Sequence, residues 1–162
     1  MKRVPTAICL LLAAVLPGCP PTGPAPDQRQ TAQVEEMPIT WSKTVTYSEL
    51  YEPLRLVIRD AAHLAAVPVA EVPVDFSKQM VLLAARGAVP TEGYAIRITR
   101  AWREGHRIYV DVRVSQPQPD GQPPKHELCA PYHIVVVPRS DLNVEGFSTR
   151  LPSDPRGHNP YK

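Results

Sequence analysis

Cysteine is scarce in this 162-residue chain, which has only Cys9, Cys19 and Cys129. If Cys9 leaves with an N-terminal signal and Cys19 carries lipid, as the leader suggests, Cys129 stands alone and no intramolecular disulfide can form. The fold must then rest on an apolar core. Glycine is sparse as well: the eight glycines form no phosphate-cradling loop, and no G-x-S-x-G turn presents a nucleophilic serine. No apolar run approaches the roughly 20 residues that a membrane-spanning helix needs. Net charge is missing too. Without Lys2 and Arg3, 16 basic residues face 16 acidic ones. A neutral chain lacks the electrostatic footprint of nucleic-acid binding.

What is present begins with the leader. MKRVPTAICLLLAAVLPGC has a cationic start, an apolar run from Ala7 to Leu16 and a small residue before a cysteine. That is the grammar of a secretory signal over residues 1–18. Leu16-Pro17-Gly18-Cys19 resembles the bacterial lipobox, which makes Cys19 the lipidated first residue of the mature protein; the other reading is an ordinary signal peptide cut nearby. Pro20 stands where a retention Asp would, and by resemblance to enterobacterial sorting this points to the outer membrane instead of the inner. Residues 19–38 are rich in Pro, Gln and Thr and too poor in large apolar groups to offset their ordering entropy, so they read as a tether. A polyproline-like tether at about 3.1 Å per residue reaches on the order of 50 Å. Residues 146–162 have the same polar, Pro-broken character and read as a disordered tail.

The domain expected between them, 39–145, is patterned mostly at period two. Ile39, Trp41, Lys43, Val45 and Tyr47 share one face of a first strand, and Leu54 to Arg59 form a second. Asp60 is placed to cap a short helix from Ala61 to Ala66. Met80 to Ala85 and His133 to Val137 read as buried strands. A three-residue loop at Arg103-Glu104-Gly105, with Gly105 left-handed, predicts a hairpin pairing Ile98 with Val110, Ile96 with Val112 and Arg97 with Asp111. The fold class expected is mainly β with one short helix (α+β), as a small antiparallel sheet or sandwich.

Chemistry-bearing constellations are few. His126, Cys129 and His133 form a loose H-x2-C-x3-H with no evident fourth ligand. Its plain reading is a loop histidine, a small apolar filler and a strand residue. The expectation is therefore no catalytic residue, no metal, no cofactor and no enzyme activity. The remaining feature is the turn Pro90-Thr91-Glu92-Gly93 and the Tyr94 that follows it. It reads either as a corner where Gly93 supplies a positive φ, or as a loop that shows backbone amides and an aromatic to a partner.

The ordered series VIRDAAHLAAV, VDFSKQMVLLAARG, PTEGYAIRI, a V-x-V hairpin arm and PYHIVVVPR, from about Leu54 to Arg139, resembles the C-terminal domain of the PrcB family. These are secreted or lipid-anchored bacterial proteins named for a subunit that associates with a surface protease and stabilises its complex. The family's Thr-Gly-Gly-Tyr loop has Glu92 in place of its first glycine here. The resemblance implies a non-catalytic cell-envelope lipoprotein, membrane-anchored through lipid, that binds an exported protein such as a protease complex. It also implies a partner surface at Thr91, Glu92, Gly93 and Tyr94, with Pro131, Tyr132 and His133 as a second edge. The same loop resembles that of chagasin-like inhibitors of cysteine proteases, which keeps a protease inhibitor as the alternative.

Overall fold

Alternation along the strands decides the architecture. In the computed structural model, residues 33–117 and 125–152 are described. The strands are β1 (Val34–Glu36), β2 (Trp41–Val45), β3 (Leu54–Ile58), β4 (Gln79–Ala85), β5 (Ala95–Glu104), β6 (Arg107–Ser115), β7 (Tyr132–Pro138) and β8 (Asn143–Val144), with α1 (Ala61–Ala65) between β3 and β4. They form two four-stranded sheets ordered β1-β5-β6-β8 and β2-β7-β4-β3. Every named pair is antiparallel except β6 with β8. The expected mainly β sandwich with one short helix is the fold.

At β4 and β7 the second sheet is buried on both faces, which explains why these two strands read as continuous apolar runs. Met80, Leu82, Ala84, Val135 and Val137 face the other sheet, where Ile96, Ile98, Ala101 and Ile108 complete one core. Val81, Leu83, Ile134 and Val136 point the opposite way, and Leu50, Val67, Val72 and the half-buried Leu64 and Phe76 cover them. α1 belongs to this cover. Asp60 caps it as expected, its carboxylate accepting from the His63 amide at 2.7 Å.

Three expectations are corrected. The β5–β6 hairpin closes from Glu104 to Arg107, leaving Gly105 and His106 as a two-residue loop, and a bulge falls between Ile98 and Arg100. Gly105, at φ +59°, occupies the first loop position, as II′ hairpins require. Beyond the bulge Ile98 faces Val112, Ile96 faces Val114, and Asp111 pairs with Arg100 instead of Arg97. The extra residue lets Ile96, Ile98 and Ala101 all face inward, which strict alternation from Ile98 would forbid. Second, Val34–Glu36 pair with β5 and Met37 is buried, so the end of the expected tether is part of the sheet. Third, the segment read as a tail from Gly146 starts with residues the domain holds. Phe147 is buried, and the Ser148 backbone bonds to β3 on both sides, at 2.8 Å from the Val57 amide and 2.9 Å to the Arg55 carbonyl. Residues 1–32, including Cys19, and 153–162 lie outside the described residues.

Candidate functional site at the loop end of the sandwich

β2, β4 and β6 finish, and β3, β5 and β7 start, at one end of the sandwich. The segments 46–53, 86–94 and 125–131 therefore meet there. The loop 90–94 singled out in the sequence stands among them, and it is braced at several points. The Ala88 amide donates to the Tyr51 carbonyl at 2.8 Å, and Val89 and Cys129 exchange amide bonds at 2.8 and 2.9 Å. The Glu92 amide donates to the Lys125 carbonyl at 3.2 Å.

Gly93 meets both conditions that demand glycine. Its φ is +91°, and a Cβ there would lie 2.9 Å from Cβ of Pro117. The corner reading of Gly93 is therefore correct, and it is compatible with a working surface because the bracing makes the loop rigid.

Tyr94 is half-buried, with the Arg86 guanidinium 5.1 Å from its ring centroid in a cation–π contact. Thr91 and Glu92 are half-buried and Gly93 is exposed. The Tyr47 hydroxyl donates to the Glu92 carboxylate and lies 3.2 Å from the Glu127 carboxylate. A phenol has one proton for two acceptors, so the two glutamates compete for it. The hydrogen bond to Glu92, then burial, then Glu127 hold the Tyr47 phenol well above the ordinary phenolic range. Around this contact, large side chains face solvent: Tyr47 is 49 %, Tyr51 54 % and Leu128 63 % exposed. None of these three stood out in the sequence. What unites Leu128 with the two tyrosines is spatial, because the 46–53 and 125–131 loops are far apart in the chain.

Pro131, Tyr132 and His133 do not form a second edge. β7 runs between β2 and β4, and all three residues are buried. Tyr132, 1 % exposed, accepts at its hydroxyl from the Ala70 amide at 2.8 Å, fixing the segment that covers the outer core. His133, 5 % exposed, accepts at Nδ1 from the Ile98 amide at 3.0 Å, tying the β5 bulge to the opposite sheet. Burial, with Arg97 nearby, depresses its pKa. The H-x2-C-x3-H spacing is not gathered into a ligand set: His126 is exposed, Cys129 is buried beside Val89, and His133 faces the other sheet. Among the described residues no group of three or more His, Cys, Asp or Glu is placed to hold a metal ion.

The fold and this end define a small two-sheet β domain that displays rigid loops bearing aromatic and aliphatic side chains. Residues 80–138 match the family profile described as PrcB C-terminal, the family that the sequence resembles. The match runs from β4 through the 90–94 loop and the long hairpin to the end of β7. No curated protein and no solved structure matches the chain.

Proposed function

We propose that this protein is a non-catalytic cell-envelope lipoprotein, anchored through Cys19, whose PrcB C-terminal domain binds and stabilises an exported protease complex through the loop end of the sandwich. The observation that carries the reading is the set of exposed side chains Tyr47 and Tyr51 from the 46–53 loop and Leu128 from the 125–131 loop, gathered around the braced 90–94 turn. Rigid aromatic groups give much contact area for little ordering entropy, the usual makeup of an interface hot spot. The lipobox-like leader supplies the anchor, and the tether supplies the reach to a membrane-associated partner. Thr91, Glu92, Gly93 and Tyr94 belong to this surface; Pro131, Tyr132 and His133 do not.

The test is capture of the tagged lipoprotein from gently solubilised envelopes, with bound proteins identified and proteolysis assayed in the eluate. An active protease should co-elute with the native chain and fall about tenfold with the Tyr51→Ala, Leu128→Ala double variant. Thermal unfolding should hardly change, since both side chains are solvent-facing. Equal recovery with the variant would remove this end as the binding surface. An inactive protease that revives on release would mark an inhibitor.

A further inference from the structure

Between the two sheets a cleft of about 710 Å³ runs from the loop end, at Arg86, Ile96 and Val114, to β8. That is within the range of ligand-binding clefts in general. Ile96, Val114 and Phe147 supply apolar lining, with Arg55 and Arg86 beside them and, among the described residues, no acidic side chain in the wall. Strand alternation explains where the arginines stand. Val57 on β3 and Met80, Leu82 and Ala84 on β4 face the inter-sheet core. Counting by twos brings Arg55 and Arg86 to that same face at the mouth.

These positions continue an apolar pattern, yet both hold guanidinium groups. Neither arginine makes an ion pair with any described carboxylate. Arg86 Nε is buried without a hydrogen-bond acceptor among the described residues, and the arginine's placed contact is with the Tyr94 ring. A buried donor left unpaired is costly, and a guanidinium is matched best by a carboxylate. Arg86 also links the cleft to the loop surface, because it lines the cleft and its guanidinium lies over the ring of Tyr94 in the 90–94 loop.

We infer that this cleft takes a short apolar segment of the partner chain carrying a carboxylate, with the apolar side chain between the sheets and the carboxylate on Arg86 and Arg55. This rests on the partner-binding reading and adds the chemistry the partner must offer. The carboxylate is either the partner's C-terminus or an Asp or Glu side chain.

The test is fluorescence anisotropy of the purified full chain with three labelled peptides. One ends in Ala-Leu-Leu with a free carboxylate, one is its C-terminal amide, and one is an amide ending in Ala-Leu-Leu-Glu. The free acid or the Glu peptide should bind about tenfold more tightly than the neutral amide, and whichever binds identifies the source of the carboxylate. Arg86→Gln and Arg55→Gln should each remove most of that preference, while Arg86→Lys retains part of it. Matched melting temperatures would show that the variants are folded. Equal binding of all three peptides, no binding, or a preference unchanged in both Gln variants would overturn the assignment. If envelope capture still recovers a partner sensitive to Tyr51 and Leu128 in that event, the partner-binding reading stands and the cleft assignment alone falls.

Discussion

His133 shows how one side chain can serve the fold while looking like a functional residue. Its Nδ1 must be unprotonated to accept from the Ile98 amide, and its surroundings favour that state: Arg97 from β5, the uncharged Ser42 and Thr44 from β2, and Ala84 paired with it on β4. The folded-state pKa is below the ordinary value of 6.5. The unfolded chain therefore binds the proton first as pH falls, and stability is lost with acidification. The contribution is fully present above about pH 6.5 and declines below it by at most about 1.4 kcal/mol per pH unit until the folded pKa is reached. Urea midpoints measured at pH 7.5 and pH 5 should show that loss. His133→Asn, though weaker overall, should show a smaller pH dependence; an unchanged slope would mean that the proton is taken up elsewhere.

Among the elements, the short ones carry more than their length suggests. β1 has three residues, yet Glu36 pairs with Arg100 and Glu35 lies 3.8 Å from Arg103. These exposed pairs contribute little, and Met37 beneath the strand contributes more. The segment after β8 behaves alike at the other edge of the molecule. Ser148 adds backbone bonds along β3, and Phe147 joins the inter-sheet core. Phe147→Ala should therefore cost about 3 kcal/mol in chemical denaturation. A cost under about 1 kcal/mol, typical of an exposed site, would show that the segment is peripheral.

Across the whole molecule, β4 and β7 are shared by the two cores, one side chain up and the next down. Neither core can be lost while the other keeps its sheet, so unfolding should be a single cooperative step. The two tryptophans allow a check. Trp41 packs against the outer core, and Trp102 lies on the other sheet, stacked on Tyr109 at 5.7 Å. Trp41→Phe and Trp102→Phe leave one reporter each. The midpoint reported by fluorescence in each variant should coincide with its own midpoint by far-ultraviolet circular dichroism. Separation of the two signals would show that the layers come apart in stages.

By itself the sequence determined what local physics controls. The period-two runs became strands, Asp60 became a cap, the unbroken apolar runs became a sheet covered on both faces, and Gly93 and Gly105 took the left-handed backbone that their turns need. Each follows from a residue and its near neighbours. Tertiary structure decided the rest. A bulge between Ile98 and Arg100 costs no local signal, because its benefit lies in the opposite sheet, so the hairpin register was not legible. Pro131, Tyr132 and His133 are interior and not an edge because exposure depends on what flanks a strand, and β7 is flanked on both sides. Tyr47, Tyr51, Arg86 and Leu128 became candidates only when strand order brought separate loops to one end. Local pattern sets which face of a strand is apolar; long-range packing decides which of those faces, and which loop side chains, remain open to a partner.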